Sequence, residues 1–231
     1  MTAYDARSFA RSLAMGLLLL ALAAVVMIAT DTDAGASGSR LARLGALAPV
    51  FGALGSSLAI AQARSKGELL ALESIGVPRW RQMAGALAAA MLIGFAGAIA
   101  VGSRASNLGA LFPRIERSDW VQLADGSWSS VAAGAKIGPA GLELLAGGGA
   151  AASMLDPRSA GAAVMLCLAA ATIALPLWLQ LRARQLERLG VGGCTALGQI
   201  ALFHWVGAGQ LSAWALVAGP ALLLVHWLIR K

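Results

Sequence analysis

The sequence predicts an α-helical protein that crosses a membrane several times. Hydrophobic residues make up 58% of its 231 residues and charged residues only 13%, whereas a soluble domain has about 45–50% apolar and about 25% charged residues. The apolar residues fall in long runs that contain no Asp, Glu, Lys or Arg. Such runs are typical of transmembrane helices and not of the short alternating strands of a β-barrel. This composition excludes a water-soluble globule and a disordered chain.

Six runs are long enough, or nearly so, to cross a hydrocarbon layer as helices, which takes about 20 residues each. They cover residues 13–30, 44–63, 82–103, 160–181, 191–207 and 211–229. The apolar run of a signal peptide has about 7–15 residues. The first run here is longer, so we expect it to be retained. The spans group three and three, which divides the chain into residues 1–103, 104–159 and 160–231.

Lys and Arg are distributed unequally between the two sides of these spans. The side that holds both termini and the loops 64–81 and 182–188 carries 11 Lys or Arg and four Asp or Glu, whereas the other side carries seven of each. Basic loops stay in the cytoplasm, so the sequence predicts that both termini are cytoplasmic. The net charge of +7 therefore reflects membrane orientation and does not indicate nucleic-acid binding.

The outer segment, residues 104–159, contains a predicted hairpin. Two short strands beginning at Trp120 and Trp128 flank Asp125-Gly126, a pair that suits the positive φ angles of a tight turn. A third strand is predicted at 142–145. Two or three strands bury little surface alone, so we expect them to pack on the membrane helices or on a partner. The two tryptophans could contact an acyl chain, but buried strand anchors are the favoured interpretation.

A short helix is predicted over residues 65–77, between the second and third spans on the basic side. Ser65 and Glu68 have the spacing of a capping box, in which each side chain bonds the other residue's backbone N–H. Gly76 and Pro78 are expected to end the helix. Two interpretations remain open at this point: a capped helix lying at the interface, with Arg79 as a membrane-surface anchor, or an element that docks onto a partner.

Several kinds of chemistry are missing from the sequence. It contains no G-x-x-x-x-G-K-[ST] motif for nucleoside triphosphates and no Cys/His cluster with metal-ligand spacing. The predicted spans hold no acidic residue that could couple transport to an ion, which argues against an ion-coupled carrier. Small residues at four-residue spacing, such as Gly94, Ala98 and Gly102, are expected to pack helices within the chain.

The stretch 63–77, Ala-Arg-Ser-Lys-Gly-Glu-Leu-Leu-Ala-Leu-Glu-Ser-Ile-Gly-Val, resembles the LptF/LptG family of lipopolysaccharide-export permeases. In that family a span is followed by a serine, a Glu-Leu-x-Ala-like core and a Gly-Ile/Val ending. The six spans, the internal termini and the outer domain between spans three and four are also similar. The resemblance implies a protein of the bacterial inner membrane whose segment 65–77 is a coupling helix, docked into a groove of a cytoplasmic ABC ATPase. Hydrolysis would then occur in that partner, and the chain itself would be neither an enzyme nor a cofactor-binding protein.

The resemblance also assigns roles to individual residues. Contacts with the ATPase are expected from Glu68, Leu69, Leu72, Glu73, Gly76 and Arg79, with Leu69, Leu72 and Gly76 forming the docking face. Glu187, on the same side of the membrane, is expected to matter little for recruitment. Arg40 and Arg43 are candidates for binding lipid phosphates, on a lipid path through the first, second and fifth spans.

The resemblance implies further partners and leaves an alternative open. A second permease subunit, alike or paralogous, would enclose the cavity with this one, the cargo would be a lipid or a lipopolysaccharide-like amphiphile, and periplasmic bridge proteins would receive it. The outer segment has only about 55 residues, too few for the family's complete β-jellyroll. It therefore corresponds to a reduced periplasmic domain, and a non-transporting membrane scaffold that anchors an ATPase or an envelope complex is the alternative.

Overall fold

The computed structural model describes residues 3–30, 37–103, 105–112, 120–130, 135–139, 141–144, 157–180 and 185–230. Within these ranges the chain forms seven α-helices: α1 (Ala3–Thr30), α2 (Ser37–Ser65), α3 (Glu68–Ser74), α4 (Arg79–Gly102), α5 (Pro157–Leu179), α6 (Gln185–Gly207) and α7 (Ala218–Arg230). Two 3₁₀ turns, Leu108–Leu111 and Ala213–Val217, follow α4 and precede α7.

Five helical segments in the described residues are long and apolar enough to cross a membrane: α1, α2, α4, Arg158–Leu179 within α5, and Ala213–Arg230, which joins the second 3₁₀ turn to α7. The prediction of an α-helical protein of multi-pass membrane character is therefore confirmed. The fifth predicted span, 191–207, forms most of α6 but is not among these five. Its glycines, Thr195 and Gln199 make α6 less apolar, and the count of six spans stays a prediction.

Helices α1, α2 and α4 pack with their backbones close together. A methyl group on Gly52 of α2 would come 2.8 Å from the carbonyl oxygen of Ala90 of α4, and one on Gly55 would come 2.6 Å from the backbone nitrogen of Gly16 of α1. Residues without side chains allow helices to approach this closely. The prediction that the small residues serve packing within the chain is confirmed.

Helices α4 and α5 join the two halves of the bundle. Gly94 lies against Thr172, and Gly102 against Met165, so these helices run in opposite directions. A buried apolar cluster connects α4, α5, α6 and the second 3₁₀ turn through Ala98, Val101, Ala160, Ala163, Val164, Cys167, Leu168, Val206, Ala213 and Leu216. One end of the bundle therefore holds the starts of α1, α4 and α6 and the ends of α2, α5 and α7. We call it the basic end, because it carries the Arg-rich and Lys-rich segments.

Large aliphatic side chains cover much of the outside of the helices. On α1, Leu18, Leu22, Val25 and Ile28 are exposed, and α1 contributes no buried residue after Gly16. In water such a surface would cause aggregation, whereas it is the ordinary exterior of a helix surrounded by hydrocarbon. The exterior is therefore compatible with a membrane environment.

A four-stranded antiparallel meander lies between the two helical halves in sequence: β1 (Trp120–Gln122), β2 (Trp128–Ser130), β3 (Ala135–Gly138) and β4 (Gly141–Leu144), paired in chain order. The predicted hairpin is confirmed, with Gly126 at a φ of 78°. The predicted third strand is β4. Strand β3 was missed because Ala, Lys and Gly, three of its four residues, are poor strand formers.

One face of the meander is apolar and uncovered among the described residues. The register places Trp128, Ile137 and Leu142 side by side, and their side chains are all exposed. The expectation that Trp128 is a buried anchor is therefore wrong, since 45% of its surface is exposed. Four short strands cannot fold back over their own apolar face. The side chain of Trp120 lies outside the described residues.

Asp125 holds the loop of the first hairpin. Its Oδ1 accepts hydrogen bonds from the Ser127 backbone N–H, at 3.0 Å, and from the Ser127 hydroxyl. Its Oδ2 accepts from Nζ of Lys136 at 2.9 Å. These bonds, first those from Ser127 and then that from Lys136, stabilise the carboxylate and lower the pKa of Asp125 well below its ordinary value.

Candidate functional site

The connection between α2 and α4 at the basic end begins differently from the predicted capping box. Helix α2 continues to Ser65, whose hydroxyl donates to the carbonyl oxygen of Gln62 at 2.9 Å. The N-cap of α3 is Gly67, at a φ of 73°, and it makes no side-chain cap. The capping-box prediction is wrong because Ser65 still lies inside a helix, where its hydroxyl bonds the preceding turn, and because Glu68 binds another group.

The end of α3 follows the sequence prediction. Gly76 has a φ of 79°, its N–H donates to the carbonyl of Glu73, and the N–H of Val77 donates to the carbonyl of Leu72, both at 3.0 Å. This pair of bonds is a Schellman motif, which needs a left-handed residue and therefore favours glycine. Gly76 ends the helix as predicted, with α3 itself limited to seven residues of the predicted 65–77.

Glu68 binds Arg11, near the start of α1. Nη1 of Arg11 donates to both carboxylate oxygens, at 3.0 and 3.1 Å, and about a quarter of each side chain is exposed. Tyr4, on the same part of α1, lies within electrostatic range of both charges. The structure therefore directs the carboxylate of Glu68 towards the bundle, and the predicted contact of Glu68 with an ATPase stays a prediction that this geometry does not favour.

Two further bonds fix the turn between α3 and α4. Nε of Arg79 donates to Glu73 at 2.8 Å, and Nε2 of the buried Gln82 donates to the carbonyl of Val77 at 2.7 Å. Glu73 and Arg79 were predicted contact residues, and the structure brings them together in an exposed ion pair. Gln82 was missed, because in sequence it is only the first residue of a span. A polar side chain at a span boundary, beside Pro78, was the available signal.

The face of α3 that points away from the bundle is not the predicted one. Leu69 and Leu72 are half-buried, and α3 as a whole contacts α2 and α4. Three large apolar residues between the end of α2 and the first turn of α4 are strongly exposed: Leu70, Ile75 and Trp80, at 73%, 74% and 70% exposure. We call these three the outer patch. Leu70 is not part of the predicted docking face of Leu69, Leu72 and Gly76, because contacts of α3 with α2 and α4, which the sequence does not reveal, decide which side of α3 faces outwards.

Arg40 and Arg43 lie far from this connection. Both belong to the first turns of α2, and an α-helix rises 1.5 Å per residue, so about 33 Å separates Arg43 from the end of α2. Each of them interacts with another group in the structure. Their predicted contact with lipid headgroups stays a prediction.

An apolar cleft opens between α2, the 3₁₀ turn Leu108–Leu111 and α6, at the end of the bundle opposite the basic end. Its volume is about 530 Å³, and it is lined by Ala46, Leu111, Leu197, Ile200, Ala201, Phe203, His204 and Trp205. The volume lies in the range of small-molecule sites. The lining is apolar apart from one imidazole, which suits a hydrocarbon ligand better than a polar one.

Glu187 has a structural role that the sequence analysis did not foresee. It lies in the first turn of α6 and contacts two residues of α7, Arg230 at 2.7 Å and His226 at 3.3 Å. Nε1 of Trp178, on α5, donates to Nδ1 of His226 at 3.2 Å. An indole can only donate, so Nε2 of His226 must carry the proton that it shares with Glu187. These four residues join α5, α6 and α7 at the basic end.

The described residues include no group of three or more His, Cys, Asp or Glu that could hold a metal ion. Cys167 is buried and Cys194 exposed, on different helices. Comparison with family models, curated proteins and solved structures finds no match to this chain. The arrangement at the basic end is suited to mechanical contact, because a short helix is bonded at both ends to longer helices and presents apolar side chains outwards.

Proposed function

We propose that the chain is the membrane subunit of an ABC-type exporter that extracts a lipid or lipopolysaccharide-like amphiphile from the bacterial inner membrane. In this proposal it belongs with the LptF/LptG permeases, its basic end and both termini face the cytoplasm, and a separate ATPase hydrolyses ATP. A second permease subunit completes the lipid cavity, and periplasmic bridge proteins accept the lipid.

The observation that carries the proposal is the outer patch. Leu70, Ile75 and Trp80 are each at least 70% exposed, on a connection whose positively charged neighbours, such as Arg81, suit the cytoplasmic side. Large apolar residues exposed close together in sequence, outside the apolar runs, are candidates for an interaction surface. The Arg79–Glu73 ion pair joins α3 to α4 on the same connection, and the Arg11–Glu68 pair joins α3 to α1, so a partner that moves the patch also acts on the longer helices.

The apolar cleft supports the lipid part of the proposal. It lies between the second span and the fifth predicted span, two of the three through which the family resemblance places the lipid path. An acyl chain suits an apolar cleft because its entry leaves no polar group without a hydrogen-bond partner. The uncovered apolar face of the meander, with Trp128, Ile137 and Leu142, offers a second surface for an acyl chain or a partner.

The proposal is tested by co-expressing the chain with candidate ABC ATPases and purifying it in nanodiscs of phosphatidylethanolamine and phosphatidylglycerol. We expect an ATPase to co-purify and its hydrolysis to rise when lipopolysaccharide or another candidate lipid is added. The double variant Leu70→Glu/Ile75→Glu should weaken recruitment by at least about tenfold, as loss of a central interface residue does.

Val121→Glu is the matched control, because Val121 is an exposed apolar residue of the meander and should leave recruitment unchanged. Recruitment of no ATPase by the wild-type chain would overturn the exporter proposal. Recruitment without stimulation by any lipid would favour the non-transporting scaffold instead. Equal loss of recruitment in the control and in the patch variant would show that the patch is not the contact surface.

A further inference from the structure

The ion pair between Glu68 and Arg11 connects two parts of the chain that are distant in sequence. Glu68 begins the short helix α3, and Arg11 lies near the start of α1, 57 residues earlier. Both carboxylate oxygens accept from the same guanidinium nitrogen, at 3.0 and 3.1 Å. Charge-assisted bonds between partly buried groups are stronger than exposed ones, so this pair can carry force between α3 and α1.

Helix α1 is packed most deeply near its start. Its buried residues are Ser8, Ser12 and Gly16, where the backbone of α1 touches α2 at Gly55. Residues 17–30 include no fully buried residue, but half-buried side chains continue along one side of the helix as far as Met27, so α1 stays in contact with the bundle. Arg11 lies within the most deeply packed part, so a displacement of Arg11 displaces the helix at the point where it is packed against its neighbours.

From this geometry we propose that the Arg11–Glu68 ion pair transmits displacement of α3 to α1, and that Glu68 is a positioning residue that does not contact the motor protein. The inference rests on the proposed function, which supplies the force on α3. The partner then presses on the outer patch, Glu68 displaces Arg11, and α1 moves relative to α4.

The second ion pair of the connection provides a contrast. Glu73 and Arg79 join α3 to α4, and their side chains are 40% and 54% exposed. Those two helices are already joined by the chain itself and by the bond from Gln82 to Val77. Loss of the Glu73–Arg79 pair should therefore affect transmission much less than loss of the Arg11–Glu68 pair.

The test uses the complex with the ATPase in nanodiscs and spin labels at two exposed positions, Ile28→Cys on α1 and Ile99→Cys on α4. Cys194 is exposed and is replaced by serine, whereas Cys167 is buried and remains. Pulsed electron paramagnetic resonance measures the distance between the labels with and without ATP. In the otherwise unchanged chain we expect ATP to change the distance distribution.

Arg11→Gln and Glu68→Gln should each leave recruitment of the ATPase unchanged and reduce the ATP-dependent change at least about fivefold, the lower range of coupling between sites. The charge exchange Arg11→Glu/Glu68→Arg should restore most of it, since it rebuilds the pair with opposite polarity. Arg79→Gln is the control and should retain the change. If either single variant is poorly expressed, the charge-exchange variant is compared with the double variant Arg11→Gln/Glu68→Gln instead. The ATP-dependent change should be present in the first and reduced in the second.

Failure of the charge exchange to restore the ATP-dependent change, in a complex that still forms, would overturn the inference and leave the proposed function intact. Loss of recruitment in Glu68→Gln but not in Arg11→Gln would also overturn it, because Glu68 would then contact the ATPase directly. A wild-type chain that recruits no ATPase would overturn the proposed function and, with it, the source of the transmitted force.

Discussion

Helices α2 and α4 are joined by contact between backbones, whereas α6 is joined to its neighbours through side chains, both apolar and polar. Gly52 and Gly97 of the first pair face partner atoms with no room for a methyl group. On α6, by contrast, Gln199 donates to the carbonyl of Leu216 at 2.9 Å, and Glu187 bridges to Arg230. Leu197 and Ile200 of α6 are 70% and 67% exposed.

The difference teaches where the bundle resists movement and where it yields. Close packing of small residues leaves no alternative arrangement of α2 and α4, because any shift creates clashes or voids. Contacts between side chains, such as those of α6, can rearrange through changes of rotamer. The proposed exporter needs both properties: a close-packed frame beside α3, where force enters, and a more adaptable helix beside the apolar cleft.

The largest expected effect follows from filling the α2–α4 interface. A methyl group added at Gly97 would lie against Ala48 and 2.6 Å from the carbonyl oxygen of Gly45. Gly97→Leu should lower the free energy of unfolding by about 3 kcal/mol, the upper end of the usual range for overpacking, because the site is bounded by backbone. Thermal unfolding in detergent followed by circular dichroism measures the change.

Gly198→Leu is the matched control on α6, because an added side chain there meets nothing within 4 Å. It should change the free energy of unfolding by no more than about 1 kcal/mol, and a better helix former than glycine can even stabilise the helix. Equal destabilisation by the two substitutions would remove the distinction between the close-packed frame and α6.

A smaller effect is expected from the polar junction of α6. Glu187→Gln removes the charge that Arg230 and His226 contact, which should cost about 0.5–1 kcal/mol for a partly exposed ion pair. The loss should be local. Hydrogen exchange should accelerate in the first turns of α6 and at the end of α7, with no change in α2 and α4. Glu143→Gln on the meander is the control, and uniform acceleration along the chain would contradict the local interpretation.

The smallest effect is a loss of stability at acid pH, which is expected in the meander and not in the helices. The pKa of Asp125 is lowered in the folded hairpin by its bonds to Ser127 and Lys136, so its stabilisation is complete above the unfolded pKa of about 3.9 and is lost as pH falls through the lower folded value. Amide protection in β1 and β2 should therefore be constant from neutral pH down to about pH 5 and then decline below about pH 4.

Asp125→Asn should abolish this acid dependence, because an amide does not titrate in that range. Hydrogen exchange measured from neutral to acid pH tests both statements, after correction for the intrinsic rate. The α2–α4 contacts at Gly52 and Gly97 involve no titratable side chain and should show no such decline. A decline that persists in Asp125→Asn would assign the acid dependence to another group.

Much of the architecture could be predicted because it depends on local chemistry. Long apolar runs fix the positions of the helices, Asp125-Gly126 fixes the first hairpin, and Gly76 with Pro78 fixes the end of α3. Ser65 was predicted to cap α3 and instead lies in α2, where it bonds Gln62, because the end of α2 was placed too early. Glu68 was predicted to face a partner and binds Arg11, a residue distant in sequence.

The sequence by itself determined that this chain is helical, that its helices suit a membrane and that a short helix interrupts the basic side between α2 and α4. Only the tertiary structure decided which side of that helix faces outwards, that Glu68 points inwards, and that Glu187 joins α6 to α7. The physical reason is that hydropathy and turn chemistry act within a few residues. The direction of a side chain on a short helix depends on which longer helices pack behind it, and local sequence carries no record of that packing.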